Sequence, residues 1–274
     1  SYLYGTVHVG RMEWMFPGPE ALRAARASDV IALELDILDP DIAGRLQAGM
    51  APRPDRAIPE ALRRRLGAQL KAACLPEVLL DQAAPEMVAT TLTVMAARND
   101  GLDPAYAVDA VYASLARALR KPVSSLETPE LQLKLLLSGT EAESREAIES
   151  ALQNLESGKA APQLARMAQV WSDGRLGEME NYEKWCECME TDADRTMMRR
   201  MLDERNPGMA KNIDAIHATG RTVFAAVGSL HMIGKLGLPA GDTLQLVDCA
   251  AGERQPAPAH LAHPQPAGGD DGAT

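Results

Sequence analysis

The sequence is poor in aromatic residues, which make up 4% of its 274 residues and include only 2 Phe and 3 Trp. β-Sandwiches and β-barrels draw on aromatic and β-branched residues for their strands. Ala, Leu and Met are plentiful instead, and apolar residues reach 46%, enough for a sizeable core. The composition therefore predicts a helix-rich globular fold and excludes disorder for most of the chain.

The sequence is also short of positive charge, because 28 Lys and Arg stand against 38 Asp and Glu, for a formal net charge of -10. Proteins that bind nucleic acids need clustered basic residues to displace phosphate counterions. The basic run at 63–65 has the pattern of a solvated helix face. No apolar run approaches the roughly 18 residues of a membrane-spanning helix. We expect a soluble protein without a membrane span and without a nucleic-acid partner.

Cysteine is scarce too, and none of the four cysteines has the C-x-x-C spacing of zinc ribbons or thioredoxin-like sites. The sequence favours free or half-buried thiols. A disulfide from Cys186 or Cys188 to Cys249 stays open for an exported protein. The chain begins on a strand-like segment without an initiator Met, which suggests a removed N-terminal signal. That hypothesis implies a periplasmic or extracellular location, and without it the location is cytoplasmic.

Five short apolar segments bounded by turn residues read as strands buried on both faces: 2–9, 30–36, 121–127, 222–230 and 243–249. Proline and cap residues predict helix starts at residue 18, Pro59, Pro85, Asp103-Pro104 and Thr128-Pro129, with a capping box at Thr140–Glu143. The sequence therefore predicts an α/β fold, α+β-like in its helix content. Its central mixed, mostly parallel sheet is covered by helices.

The strands at the two ends of the chain predict a single domain over 1–250 with two helical insertions. These insertions, at about 50–120 and 129–220, would form a cap. Met197, Met198, Met201 and Leu202 have the helical spacing of core residues. The Pro-, Ala- and Gly-rich segment 251–274 has no periodicity and is predicted to be a disordered tail.

Two Gly-x-x-His motifs close the first and fourth predicted strands and end at His8 and His231. Glycine lets the backbone turn or approach closely, and the histidine follows at the strand end. The carboxyl ends of parallel strands form ligand-binding crevices, so the two imidazoles are expected in one site. A histidine that merely satisfies nearby backbone groups is the structural alternative for each motif taken alone. The pair together favours a functional site.

Charged residues supply the rest of the candidate site. Glu34 is embedded in an apolar strand, which is costly unless the carboxylate is paired or bound to a cation. Glu127 closes the third strand, where it would join the site or favour the start of the next helix. Arg205 would clamp a substrate carboxylate or carbonyl, or else act as a cation at a helix C-terminus. These alternatives stay open.

The motifs resemble those of the TraB/GumN (PrgY) family, which includes the Tiki-type metalloproteases of animals. The resemblance runs from Tyr2 to about Cys249 and rests on YLYGTVHVG at 2–10, VIALELD at 30–36, GLDP at 101–104, LETPE at 126–130, ERNPGMAKNI at 204–213 and FAAVGSLHMIGKLGL at 224–238. The second motif reads Gly-Ser-Leu-His where many members have Gly-Ala-Gly-His, and its glycine and histidine are retained.

This resemblance implies an α/β fold distantly similar to erythromycin esterases and ChaN-like proteins, with the histidines and acidic residues in the active site. For the Tiki branch it implies proteolysis that depends on manganese or cobalt. Two imidazoles and a carboxylate suit Mn²⁺, Co²⁺, Fe²⁺ or Zn²⁺. The expected reaction is hydrolysis of an amide or ester bond in a peptide or small-molecule substrate.

The expected roles follow from that chemistry. His8, His231 and Glu34 would bind the metal, and Glu127 would bind it or act as general base. Arg205 would hold the substrate or a developing oxyanion, with Asn206 beside it in the substrate site.

Two other functions remain open. In a metal-free hydrolase His8 would be the general base, oriented by Glu34. In a non-catalytic protein the same crevice would sequester a peptide, haem or another small ligand. Haem is disfavoured because the two motifs themselves contain no Tyr or Cys and offer no strong axial ligand beyond histidine.

Overall fold

A five-stranded parallel sheet forms the centre of the computed structural model, which describes residues 1–53, 57–189, 191–240 and 247–248. The strand order is β3-β2-β4-β1-β5, and all four pairings between these strands are parallel. The strands are β1 (Tyr2–Thr6), β2 (Val30–Leu33), β3 (Val123–Ser125), β4 (Val223–Gly228) and β5 (Val247–Asp248). The α/β fold is confirmed, with a sheet that is parallel throughout rather than mixed.

Helices supply most of the remaining secondary structure in the described ranges. They are α1 (Pro19–Ala27), α2 (Pro40–Gly49), α3 (Glu60–Ala72), α4 (Leu79–Gln82), α5 (Pro85–Val94), α6 (Val108–Ala118), α7 (Pro129–Leu136), α8 (Glu141–Glu156), α9 (Ala160–Ser172), α10 (Leu176–Met179), α11 (Asp192–Met201) and α12 (Asn206–His217). Short 3-10 turns connect several of them, among them Pro104–Tyr106 and Ser229–Met232. None of these helices is both long and apolar enough to cross a bilayer.

Helix starts agree well with the sequence signals. Pro19, Pro85 and Pro129 occupy the first turns of their helices, and the Thr140–Glu143 capping box is formed. The sequence reading missed α2, although Asp39 and Pro40 give it the same kind of start. None of the α2 residues is fully buried.

Both faces of the sheet are covered by apolar clusters, as the strand pattern predicts. Alternate residues of one strand point to opposite faces, so Tyr4 and Leu3 belong to different clusters. Helices α1 and α6 pack on the face of Tyr4, and α12 packs on the face of Leu3 through Met209 and Ile213. The sheet is therefore buried on both sides, and its carboxyl edge remains as the exposed end.

A separate helical cluster is built from the two predicted insertions. Leu66 and Leu70 of α3 pack with Leu92 of α5 and with Ile148 and Leu152 of α8. The assignment of 1–250 to one domain with a helical cap stays a prediction. Of the methionine-rich stripe in α11, Met198 and Leu202 contact the core, but Met197 is 43% exposed, so the core prediction is wrong for that side chain.

The prediction of free thiols is confirmed for Cys74 and is wrong for Cys186 and Cys188. Cys186 and Cys188 form a disulfide with each other, and Cys74 is an exposed free thiol. The two residues are only two positions apart, closer than sequence reasoning considered for a bridge. The pairing prediction for Cys249 and the tail prediction for 251–274 lie outside the described residues, as does most of the predicted strand 243–249.

Candidate active site at the carboxyl edge of the sheet

Four adjacent strands end in a row of polar residues. In sheet order, Glu127 follows β3, Glu34 follows β2, His231 follows β4 and His8 follows β1. Glu34 is the residue immediately after β2, so it leaves the sheet at its carboxyl edge rather than standing inside the strand. The two glutamates and the two histidines are therefore brought to one edge, where crevices form in parallel α/β sheets.

The two Gly-x-x-His motifs touch each other directly. A β-carbon placed on Gly5 would lie 3.1 Å from both Cα and Cβ of Ser229, so the first motif needs glycine for this close approach. The carbonyl of Gly5 accepts a buried hydrogen bond of 2.8 Å from the indole of Trp171. Gly5 thus fixes β1 against the second motif, and the convergence predicted for the pair is present.

A crevice of about 280 Å³ opens above this edge. His8, Glu34, Asp109, Gln132 and Arg205 form its polar part. Its apolar wall is formed by Leu35, Ile37, Val94, Leu135, Leu136, Met201 and Ala226. A pocket with an apolar wall and a few convergent polar groups is the usual form of a small-ligand or active site.

Arg205 pairs with both of the buried glutamates. Its guanidinium forms ion pairs with both Glu34 and Glu127, and its Nε donates to Glu127 Oε1 at 2.9 Å. The side chains of Arg205 and Glu127 are 7% and 2% exposed. Gln132 bridges the two carboxylates from Nε2, at 3.1 Å from Glu127 and 3.4 Å from Glu34. The buried charge of Glu34 is thus paired, as its cost requires.

The contacts of Arg205 bear on both of its predicted roles. Its Nη1 donates to the carbonyl of Met201, the last residue of α11, at 2.9 Å. It therefore serves the C-terminus of that helix and also lines the crevice. A guanidinium has five N–H groups, and these contacts with Glu34, Glu127 and Met201 use four. One Nη1 hydrogen has no assigned acceptor in the described structure.

His231 is held by Asn206. Nδ2 of Asn206 donates to the carbonyl of Leu236 at 2.7 Å, which leaves its Oδ1 as the acceptor facing Nδ1 of His231 at 2.6 Å. Nδ1 of the ring therefore carries the hydrogen, and Nε2 presents its lone pair towards Glu34, with Oε1 3.9 Å away. Both ends of the Asn206 amide are in use, and its predicted role in substrate binding stays a prediction.

His8 lies against a different acid from the one expected. Its Nδ1 is 3.5 Å from Oδ1 of Asp109, near the start of α6, and 62% of its side chain is exposed. The sequence reading paired His8 with Glu34 and did not consider Asp109. No local pattern joins residues 8 and 109, because the contact depends on how α6 packs against the end of β1.

The two histidines have opposite electrostatic surroundings. Burial lowers the pKa of His231 to about 4, against the attraction of Glu34. Desolvation also opposes protonation of His8. The carboxylates of Asp109 and Glu34 prevail and raise its pKa to about 9. At neutral pH His8 therefore carries a proton and His231 does not.

Glu34 is held as a carboxylate. Its burial opposes the charge, but His8, His231 and Arg205 outweigh it, and together with the N–H of Gly228 they lower its pKa to about 2. The amide of Gly228 donates to Oε1 of Glu34 at 2.7 Å. The second motif thus supplies a backbone donor to the acid as well as a histidine.

The three candidate metal ligands all lie close to Gly228. A β-carbon placed there would lie 3.1 Å from Oε1 of Glu34, 3.5 Å from Cδ2 of His231 and 3.8 Å from Nε2 of His8. Nε2 of His231 and Oε1 of Glu34, 3.9 Å apart, are closer than the roughly 4.2 Å spanned by two metal–ligand bonds. Two donors of types that divalent ions accept, an imidazole nitrogen and a carboxylate oxygen, therefore lie together beside Gly228.

The third donor is not yet in place. Among the described residues, no three His, Cys, Asp or Glu side chains are grouped as a ready metal site. Completing the set requires a movement of the exposed His8 ring and loss of its Nε2 proton. Arg205 and Gln132 bind both Glu34 and Glu127, but of these two acids only Glu34 lines the crevice.

Comparison with known proteins gives one result. The model of the TraB/PrgY/gumN family matches residues 1–241, which include all the candidate site residues. A search of the curated proteins and a search of the solved structures each found no match. The relationships to Tiki proteases and erythromycin esterases stay predictions.

Proposed function

The chain belongs to the TraB/PrgY/gumN family, and on that basis we propose that it hydrolyses an amide or ester bond with the help of a divalent metal ion. The observation that carries the proposal is the convergence of His8, His231 and Glu34 around Gly228, where His8 and Glu34 also line a crevice. Catalytic sites combine perturbed titratable groups with a concave pocket.

His8, His231 and Glu34 would hold the ion, and Mn²⁺, Co²⁺, Zn²⁺ and Fe²⁺ all suit this mixed nitrogen and oxygen set. A divalent ion bound there would lower the pKa of a water molecule and polarise a carbonyl group. His231 is already neutral and has its Nε2 lone pair directed towards Glu34. It therefore needs no deprotonation before it can bind a cation.

The other side chains would bind and orient the substrate. Arg205 lines the crevice and forms ion pairs with Glu34 and Glu127, and its remaining Nη1 hydrogen would donate to a substrate carbonyl or oxyanion. Leu135 and Met201, in the opposite wall, would exclude water from the scissile bond. His8, protonated at neutral pH, is suited to donate a proton to a leaving group when it is not a ligand.

The test combines metal content with turnover. Wild type and the double variant His8→Ala with His231→Ala are purified, analysed for transition metals and incubated with peptide and ester libraries plus Mn²⁺. Mass spectrometry then separates cleaved products from ligands that are merely retained. We expect bound metal and cleavage in wild type, and loss of about 10²-fold or more in turnover in the double variant.

The control is His217→Ala, since His217 contacts Ser1 and Arg221 outside the crevice. It should match wild type in both assays. Full metal content and unchanged hydrolysis in the double variant would contradict the proposal. Turnover that persists in strong chelator would select a metal-free hydrolase, and an intact retained ligand would select a binding protein.

A further inference from the structure

Each Gly-x-x-His histidine faces a side-chain oxygen that comes from the first turn of a helix. Nδ1 of His231 lies 2.6 Å from Oδ1 of Asn206, the first residue of α12. Nδ1 of His8 lies 3.5 Å from Oδ1 of Asp109, the second residue of α6. In both rings this leaves Nε2 as the nitrogen nearer to Glu34 and Gly228.

The Asp109 oxygen that faces His8 has no other use in the described structure. Oδ1 of Asp109 is buried and has no hydrogen-bond partner that meets normal geometry. A buried carboxylate oxygen without a donor is costly. The 3.5 Å separation from His8 Nδ1 is longer than an ordinary N–H···O bond, and a small movement of the exposed imidazole would close it.

The backbone fixes Asp109 beside His8. The amide of Val108, adjacent to Asp109, donates to the carbonyl of Val7, adjacent to His8, at 2.9 Å. On the other side of His8, Gly10 and Asp103 exchange two hydrogen bonds of 3.1 and 2.9 Å. These contacts hold the start of α6 against the segment after β1. The proximity of the two side chains therefore follows from the backbone as well as from their rotamers.

We propose that Asp109 is a positioning residue that retains the hydrogen on Nδ1 of His8. When the ring is neutral, Nε2 is then the nitrogen without a hydrogen, and it lies towards Glu34. The part of this inference that concerns metal rests on the proposed function. An acceptor behind the distal nitrogen fixes the tautomer and orientation of a ligating histidine, and it strengthens the ring as a ligand. Asn206 does this for His231 with a neutral amide, and Asp109 does it for His8 with a carboxylate.

The first test observes the ring in the metal-free protein. The nitrogen resonances of His8 are recorded by ¹⁵N NMR above about pH 9, where the ring is neutral. Wild type should show the Nδ1–H tautomer. Asp109→Ala, which removes the acceptor, should shift His8 to the Nε2–H form that free histidine favours. Asp109→Asn, which keeps an acceptor oxygen, should restore much of the wild-type tautomer.

The second test measures Mn²⁺ affinity of the same proteins by titration calorimetry. Loss of such an outer partner weakens metal binding by about 10- to 100-fold, so Asp109→Ala should fall in that range and Asp109→Asn between it and wild type. Asp81→Ala is the control, because Asp81 is an exposed acid paired with Arg63 and does not line the crevice. It should leave both the tautomer and the affinity unchanged.

The two measurements separate this inference from the proposed function. An unchanged His8 tautomer in Asp109→Ala would overturn the positioning role, even if wild type binds Mn²⁺ and cleaves substrate. If wild type binds no metal, the metal part of the proposed function fails while the tautomer still decides the role of Asp109. Equal affinity in wild type and Asp109→Ala would show that Asp109 does not support a metal ligand.

Discussion

Asn206 accepts a hydrogen bond from His231 at the centre of the candidate site, with 2.6 Å between Oδ1 and Nδ1. The residues are 25 positions apart, and both are buried. The neutral amide stabilises the Nδ1–H tautomer without adding a negative charge to a site that already contains Glu34 and Glu127. Burial keeps the pKa of His231 low although two carboxylates attract a proton to the ring.

Replacing that amide by a carboxylate should protonate the ring. In Asn206→Asp a negative charge beside Nδ1 favours the imidazolium, so we expect the pKa of His231 to rise above its value of about 4. The pKa is measured by NMR titration. The control is Asn212→Asp on the same helix, since the amide of Asn212 donates to Leu126 instead. An unchanged pKa in Asn206→Asp would contradict the assigned hydrogen bond.

A side chain at position 228 should abolish metal binding and change the stability of the fold only slightly. In Gly228→Ala the methyl group lies 3.1 Å from Oε1 of Glu34 and close to both histidines, while the amide that binds Glu34 is retained. We expect loss of Mn²⁺ binding in calorimetry and a small change in the urea midpoint. Gly44→Ala in α2 meets no atom within 4 Å, so it should bind metal normally and gain roughly 0.5–1 kcal/mol of stability. Equal metal affinity in both variants would exclude Gly228 from the site.

Removing the guanidinium should destabilise the fold. Arg205→Met leaves Glu34 and Glu127 as buried, uncompensated carboxylates, which costs about 3–5 kcal/mol. The measurement is urea unfolding near neutral pH. Arg65→Met is the matched control, because Arg65 also bridges two glutamates, Glu149 and Glu156, but on the surface. Its loss should cost less than about 1 kcal/mol for each pair. Similar losses in the two variants would show that burial does not set the cost.

Stability should depend on pH through both histidines, with opposite signs. His231 has a pKa of about 4 when folded and 6.5 ordinarily, so the unfolded chain binds more protons between these values and stability falls as pH drops through them. Glu34, with its pKa lowered from 4.5 to about 2, extends this loss into stronger acid. His8 has a raised pKa of about 9, so its contribution is complete below pH 6.5 and is lost as pH rises through 9.

The contribution of these groups is therefore greatest near pH 6.5. Urea unfolding across pH 3–10 checks this, with His8→Gln as the diagnostic variant. The variant should lose the part of the alkaline decline due to His8, and it should also lose part of the acid limb, because His8 helps to lower the pKa of Glu34. An alkaline limb identical to that of wild type would show that Asp109 and Glu34 do not raise the pKa of His8 in solution.

Much of the architecture followed from local sequence. Buried runs such as Val30–Leu33 and Val223–Gly228 predicted parallel strands because every position in them is apolar or small. Proline and cap residues predicted where helices begin, because those signals act within one turn. Helix α2 was missed although Asp39 and Pro40 give it such a start.

The candidate site was predicted in outline. His8, His231, Glu34 and Glu127 were identified because charged and imidazole groups at the ends of apolar strands are costly without a role. Their convergence followed from the geometry of parallel sheets. The residues that pair with these side chains were harder to predict from the sequence. Arg205 was expected to bind substrate or to serve a helix C-terminus, and its ion pairs with both glutamates were not predicted.

The sequence by itself determined the strands, most helix starts and the residues at the carboxyl edge of the sheet, because those depend on periodicity and on interactions within a few positions. Only the tertiary structure decided that Asp109 faces His8, that Asn206 holds His231 and that Cys186 pairs with Cys188. Contacts across large sequence separations depend on how α6 and α12 pack on the sheet, and the choice between nearby cysteines depends on backbone conformation. Neither is encoded in a local pattern.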